Sequence, residues 1–88
     1  MAIVPKKENK NIEFKERLTA GVHLREEKKQ HLASQMKYLL ETGNGKAIYI
    51  IGVDDSGKTK GLSDLEFEET VSVLRSIAME NNAQLEKV

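Results

Sequence analysis

Hydrophobic and charged positions alternate in IEFKERL, at residues 12–18. Ile12, Phe14 and Leu18 share one face of this alternation. A period of two predicts a strand with one apolar side and one side in solvent, and Glu13 falls on the solvent side.

A longer spacing replaces the alternation in the next part of the chain. The apolar residues at i, i+4, i+7 and i+8 are Leu32, Met36, Leu39 and Leu40. This spacing predicts a helix over residues 25–42, preceded by a connection over residues 19–24. Gly43 and Gly45 are suited to end the helix, because glycine takes a positive φ without steric cost.

The second helix has a sharper start signal. Ser63 is predicted as its N-cap, with Glu66 three residues later closing a capping box. Leu62 and Phe67 lie on either side of that cap, where they form a hydrophobic staple. The apolar stripe of this helix is Phe67, Val71, Leu74, Ile77 and Ala78. We expect it to end at Asn81.

Three further strands complete the prediction. KAIYIIGV at residues 46–53 is apolar on both faces and predicts a central strand. A turn at DDSG leads to a short returning strand in KTKGL, and AQLEKV at residues 83–88 predicts the last strand. The order β-α-β-β-α-β is that of the ferredoxin-like split βαβ unit. The sequence therefore predicts an α+β two-layer sandwich, with two helices on one face of a four-stranded, mainly antiparallel sheet.

Length, charge and composition lead to predictions of the domain boundaries and of the cellular compartment. The 88 residues are enough for one small domain, which we assign to residues 11–88, behind a flexible basic tail at residues 1–10. Residues 1–60 carry 12 Lys/Arg against 8 Asp/Glu, and residues 61–88 carry 2 against 6. The absence of cysteine, of a signal peptide and of a long apolar run predicts a cytoplasmic protein that does not enter a membrane.

One stretch matches a nucleotide-binding template. GVDDSGKT, at residues 52–59, fits the phosphate-loop pattern G-x-x-x-x-G-K-[ST]. That loop requires the helix to open at the lysine, whereas the capping box places the helix start at Ser63. Asp54 and Asp55 would also repel a triphosphate. We therefore predict a hairpin turn with Gly57 at positive φ, and no nucleotide or other cofactor.

Two other groups of side chains invite a chemical interpretation. Glu8, Glu13 and Asp54 could hold a divalent cation between carboxylates and so support phosphodiester hydrolysis, although solvated surface acids explain them as well. His23 and His31 have no acidic or cysteine partner at ligand spacing, so we expect no metal role for them.

The central strand favours a binding role. Tyr49, Ile51 and Val53 form one apolar face and Ile48 and Ile50 the other, whereas helices cover only one face of a two-layer domain. We expect the uncovered face to contact a partner, with a basic edge beside it. The predicted contact residues are Lys15, Arg17, Tyr49, Ile51, Val53, Lys58 and Lys60.

Several short motifs together resemble a known family. They are Q-M-K at residues 35–37, G-x-G-x-A-I-Y at 43–49, I-G-V-x-D-x-G at 51–57 and G-L at 61–62. In these positions the chain resembles the region preceding the GTPase domain of elongation-factor-1-alpha-like translational GTPases, the GTP-binding-protein-one relatives of archaea and eukaryotes. The resemblance implies a parent GTPase, a GTP-binding loop outside this chain, and docking onto the GTPase body, RNA or the ribosome.

A looser resemblance concerns the Schlafen-type divergent AlbA domains. It is carried by E-F-K at residues 13–15 and I-G-V-D-D-x-G at residues 51–57. In nuclease members of that group two glutamates and an aspartate carry the metal, and Glu8, Glu13 and Asp54 are similar in position. This resemblance implies an RNA-binding domain or a metal-dependent endoribonuclease.

The leading hypothesis is a non-catalytic accessory domain of an elongation-factor-like translational GTPase. Its partner is expected to be the GTPase domain of the parent protein or a partner subunit, reached through the apolar sheet face. RNA, the ribosome or a second copy of the chain are further expected partners. The alternative hypothesis is a Schlafen-like RNA-binding domain or metal-dependent endoribonuclease.

Overall fold

A computed structural model describes residues 11–86 of the chain. It contains three helices and two strands. In chain order they are β1 (Ile12–Lys15), α1 (Ala20–His23), α2 (Glu26–Thr42), β2 (Ile48–Ile51) and α3 (Asp64–Glu80). The tail predicted at residues 1–10 lies outside the described residues.

The sheet differs from the predicted one. Within residues 11–86 it has two strands, and β2 runs parallel to β1, with Ile12 opposite Ile48 and Phe14 opposite Ile50. The prediction of a four-stranded, mainly antiparallel sheet was therefore wrong. The helical crossover through α2 was predicted, and it returns the next strand in the same direction. Because no other strand lies between them in the described residues, β1 and β2 pair directly and in parallel.

Neither of the other two predicted strands forms in the part of the chain that is described. After β2 the chain turns back with a single antiparallel bridge, between Val53 and Thr59, before leaving the sheet. Lys58, Thr59 and Lys60 are all exposed there and offer no alternating apolar face to bury. Residues 83–86 are irregular, and the rest of the predicted last strand lies outside the described residues.

The number of helices was also wrong. The connection predicted at residues 19–24 contains α1, a single turn in which the carbonyl of Thr19 accepts hydrogen bonds from His23 N at 2.8 Å and Val22 N at 3.3 Å. His23 Nδ1 in turn accepts a hydrogen bond from Thr19 N at 3.0 Å. The imidazole therefore closes this turn.

The boundaries of the two long helices agree with the sequence signals. Ser63 Oγ accepts a hydrogen bond from Glu66 N at 3.1 Å, and Ser63 N donates to Glu66 Oε1 at 2.9 Å, so the predicted capping box of α3 is confirmed. At the end of α2 the positive φ is taken by Asn44 and Gly45, whereas Gly43 has a φ of −98°. Gly43 serves close packing instead, because a Cβ there would meet backbone oxygens of α2 and of the following turn.

The core lies where α2 and α3 pack together and against β2. Its buried residues are Leu18, Leu32, Met36, Val73, Leu74, Ile77 and Ala78. Most of the predicted apolar stripes of the two helices are buried, so the helical periodicity located the core correctly. Within residues 11–86 no helix is long and apolar enough to cross a membrane.

Candidate functional site

The glycine-rich stretch at residues 52–59 forms a hairpin turn. Asp54 N donates to Lys58 O at 3.0 Å and Gly57 N donates to Asp54 O at 2.9 Å. Gly52 and Gly57 have φ values of 82° and 87°, which L side chains rarely adopt. The turn was predicted from the sequence and is confirmed, including the positive φ at Gly57.

The amides of this turn are directed at a carboxylate of the chain itself. Asp54 Oδ1 accepts hydrogen bonds from Ser56 N at 2.9 Å, Ser56 Oγ at 2.6 Å and Lys58 N at 3.0 Å. The Ser56 hydroxyl, followed by the Lys58 amide, lowers the pKa of Asp54 below its ordinary value. An internal anion thus occupies the donors that a phosphate loop would offer to a nucleotide.

The helix after this turn begins too late to complete a phosphate site. Its first residue is Asp64, and its N-cap, Ser63, lies beyond Thr59 with an extended backbone. The Glu66 amide is already bonded to the Ser63 hydroxyl, so the helix N-terminus is capped internally. The lysine and threonine of the template therefore have no helix N-terminus beside them.

Glu13 lies in the interior, contrary to the solvent-facing position predicted for it. Its exposed fraction is 9%. The carboxylate accepts a hydrogen bond from Gln35 Nε2 on α2 at 3.2 Å and lies 3.5 Å from Lys15 Nζ. Alternation places Glu13 on the face of β1 opposite Phe14, and we had predicted that face to lie in solvent. In the structure Gln35 of α2 contacts Glu13 there, so the face is covered.

Tyr49 faces the same polar cluster. The strand register places it opposite Glu13, and burial, followed by the negative charge of Glu13, raises the pKa of the Tyr49 hydroxyl well above its ordinary value. Tyr49 is therefore a neutral phenol at physiological pH. On α2, the buried Oε1 atom of Gln35 has no hydrogen-bond partner in the part of the chain that is described.

The three-carboxylate hypothesis stays a prediction. Glu8 lies outside the described residues, Glu13 is bonded to Gln35, and Asp54 is bonded within its own turn. No group of three His, Cys, Asp or Glu side chains in residues 11–86 is arranged to hold a metal ion. His31 also belongs to no such group.

The apolar residues predicted to contact a partner lie mostly toward the helices. Tyr49 and Ile51 are half-buried against the core, and Val53 has an exposed fraction of 4%. On β2 the most exposed apolar side chain is Ile48, at 48%. The open face predicted from the sequence is thus partly covered within the chain, and its contact with a partner is a prediction that the structure does not test.

The four basic residues of the predicted contact surface divide into two pairs. Lys15 lies beside Glu13, and Arg17 forms an ion pair with Glu66 at 3.1 Å. Lys58 and Lys60 are exposed at the turn. Any contact of this edge with RNA would therefore rest chiefly on the two lysines of the turn.

An open groove runs beside β2 and has a volume of about 970 Å³. Its lining comes from β2 and the residues before it, from α3 and residues 81–86, and from Met36 and Leu40 of α2. Its apolar lining includes Ile48, Tyr49, Ile51, Phe67 and Val71. Sequence reasoning missed this groove, although Phe67 and Val71 were placed on the apolar stripe of their helix.

A buried threonine was also missed. Thr70 is fully buried on α3, and its Oγ1 accepts a hydrogen bond from Leu18 N at 3.1 Å and donates to Glu66 O at 2.8 Å. It ties the segment after β1 to the helix. The available signal was its position between the stripe residues Phe67 and Val71, one residue before the second of them.

Comparisons with known proteins match the chain to part of a longer protein. No protein-family profile and no solved structure matches it. GTP-binding protein 2 of mouse and GTP-binding protein 2 of human are each 37% identical to the chain over 81 residues. The alignment covers 92% of this chain and 13% of each relative, so the chain spans a small part of the relatives that it matches. The matches do not test the elongation-factor-1-alpha-like branch or the Schlafen-type likeness. They do show that the chain is related to a segment of a GTP-binding protein.

Proposed function

We propose that this chain is a non-catalytic accessory domain of a GTP-binding protein and acts by docking onto the rest of that protein. We call the part of the protein outside the matched segment the GTP-binding body. The observation that carries the proposal is the alignment with GTP-binding protein 2, which includes 92% of this chain but only 13% of the relative. A GTP-binding function named for the whole relative therefore does not have to reside in this segment.

The glycine-rich turn supports a non-catalytic role. A phosphate loop needs backbone amides that are free to converge on the anion, together with a helix opening at the lysine. Here Asp54 takes the amides of Ser56 and Lys58, and α3 begins beyond Thr59. Nucleotide binding is thus assigned to the GTP-binding body.

The proposal extends to the class of the parent protein. From the motifs at residues 35–62 we infer an elongation-factor-like translational GTPase that acts in the cytoplasm. RNA or the ribosome is a second candidate partner, with Lys58 and Lys60 as the cations available to it. The Schlafen-like nuclease is less well supported, because Glu13 and Asp54 are each engaged in bonds within the chain.

A nucleotide titration tests the non-catalytic part. A ligand at a hundredfold excess over its Kd stabilises a folded protein by about 2.7 kcal/mol. For a domain of this size that raises the Tm by roughly 10–20 °C. We expect no rise when GTP and Mg²⁺ are added to the 88-residue chain. A rise that disappears in the Lys58→Ala variant would show that the turn binds phosphate after all.

A binding titration tests the docking part. Human GTP-binding protein 2 lacking the segment matched by this chain supplies the GTP-binding body, and calorimetry measures its association with the 88-residue chain. We expect a saturable one-to-one complex. A parallel titration replaces the body with structured RNA. Binding to RNA alone would contradict docking onto the body and would identify RNA as the partner.

A further inference from the structure

One edge of β2 is unpaired in the described part of the chain. Ile48 N donates to Asn11 O and Gly52 N donates to Lys15 O, both at 2.8 Å, so these residues face β1. Because successive residues of a strand point their N–H and C=O groups to opposite edges, Tyr49 and Ile51 direct theirs away from β1. In residues 11–86 no third strand meets that edge.

The unpaired edge opens into the groove described above. Ile48, Tyr49 and Ile51 contribute side chains to its wall from β2, while Phe67 and Val71 contribute from α3. A row of free backbone donors and acceptors beside apolar pockets is the arrangement that captures an extended peptide by strand addition. Main-chain hydrogen bonds then supply affinity, and alternate side chains enter the pockets.

The charges around the groove indicate what kind of occupant fits. Among the lining residues in the described part of the chain, the charged ones are Lys46 and Glu86, one of each sign. A nucleic acid would require a surplus of cations, and the exposed lysines of the turn, Lys58 and Lys60, do not line the groove. An uncharged strand with apolar residues at alternate positions matches the lining.

We propose that the groove receives an extended, apolar strand supplied by the GTP-binding body, which pairs with the free edge of β2 at Tyr49 and Ile51. The occupant is assigned to the same polypeptide because the chain matches only 13% of each relative, which leaves most of such a protein available to supply the strand. This inference rests on the proposed function and names the surface through which the docking occurs.

Amide hydrogen exchange in a chimaera tests the inference. The 88-residue chain replaces its matched segment in full-length human GTP-binding protein 2, and exchange is followed residue by residue there and in the 88-residue chain alone. We expect the amides of Tyr49 and Ile51 to exchange at least about tenfold more slowly in the chimaera. The amides of Ile48 and Gly52, already bonded to β1, are the internal reference and should be protected in both proteins.

The pattern of protection separates the two proposals. Slow exchange on another surface, with Tyr49 and Ile51 still fast, would overturn the groove as the docking site and leave the accessory role intact. Equal exchange at every position in both proteins would overturn the accessory role as well. Protection of Tyr49 and Ile51 that rises with the concentration of the 88-residue chain alone would identify a second copy as the occupant and overturn the assignment.

A pair of substitutions adds a binding readout that does not depend on exchange. Ile48→Lys places a charge in the groove at a side chain that is 48% exposed, and Leu65→Lys places one on α3 outside the groove at a side chain that is 83% exposed. Both positions are accessible, so both variants should fold. We expect Ile48→Lys to weaken association with the GTP-binding body by about tenfold or more, the size typical of a charge placed against an apolar partner. Leu65→Lys should leave it unchanged, and equal affinities would overturn the groove assignment.

Discussion

Replacing Thr70 with valine should lower the free energy of unfolding by about 2 kcal/mol, because the change leaves a buried backbone amide without a partner. Thr70 is fully buried, and its hydroxyl accepts the hydrogen bond of Leu18 N at 3.1 Å. Leu18 is itself only 3% exposed, so water cannot readily replace the lost acceptor. Valine matches threonine in shape and has a similar helix propensity, so the difference isolates the hydrogen bond.

The magnitude follows from the kind of bond that is lost. A buried donor left unsatisfied costs about 1–3 kcal/mol, whereas removal of both partners would cost far less. In a domain of this size a loss of about 2 kcal/mol lowers the Tm by roughly 8–16 °C. Urea denaturation followed by circular dichroism measures the free energy directly, and the slope with urea should stay constant.

Thr70→Ser is the matched control for this prediction. Serine keeps the hydroxyl and loses one buried methyl group, which costs about 1 kcal/mol. The amide of Leu18 should therefore stay protected from hydrogen exchange in the serine variant and lose protection in the valine variant. If valine proves as stable as serine, and Leu18 exchanges alike in both, the hydroxyl does not anchor that segment.

Three further predictions concern local features. Gly43→Ala should lower the free energy of unfolding by about 2 kcal/mol or more, because the new Cβ would lie 2.8 Å from Leu39 O. Gly61→Ala is the control: a Cβ there meets nothing, so the urea midpoint should change little. Ser63→Ala should cost about 1 kcal/mol through loss of the N-cap, and an unchanged thermal melt would contradict the capping role. Because the pKa of Asp54 is lowered in the folded state, its carboxylate stabilises the fold above pH 3.8, its ordinary pKa. That stabilisation is lost as the pH falls through the lower folded-state pKa. Asp54→Asn should flatten that acid dependence of the urea midpoint, and identical profiles would refute it.

The two long helices, α2 and α3, could be predicted because their signals are local, whereas the single turn of α1 was missed. The hydroxyl of Ser63 and the carboxylate of Glu66 are three residues apart, and their bonds form in any chain that starts a helix there. The stripes that include Met36 and Ile77 repeat within a few residues. Both kinds of signal are complete within one segment, so no knowledge of the rest of the fold was needed.

The sheet could not be predicted in the same way, because strand direction is a non-local property. A period of two identifies Ile12 and Phe14 as one face of a strand, but it says nothing about which strand lies beside it or in which direction that strand runs. The same limitation explains the error at Glu13. Alternation set it apart from Phe14, yet both are buried, because each face of β1 is covered.

The candidate site also has one part that the local sequence predicts and one part that depends on the fold. The turn before Lys58 and Lys60 was correctly predicted from the local sequence, but the returning strand predicted to carry these lysines does not form. The groove brings together residues of β2 and α3, among them Tyr49 and Phe67, and no single segment encodes that arrangement. Tyr49 and Ile51 of the predicted contact face line this groove, and their contact with a partner stays a prediction.

The hydrogen-bond donors of the glycine-rich turn decide what its template match means. A phosphate-binding loop and this turn share their spacing of glycine and lysine, but a loop that binds an anion must hold its amides open in the absence of that anion. Asp54 lies within the turn, so its carboxylate is present at a far higher effective concentration than any free nucleotide. A phosphate would have to displace that carboxylate from Ser56 and Lys58 and then lie beside its negative charge. The acid inside the template therefore argues against nucleotide binding at this turn more directly than the late start of the helix does.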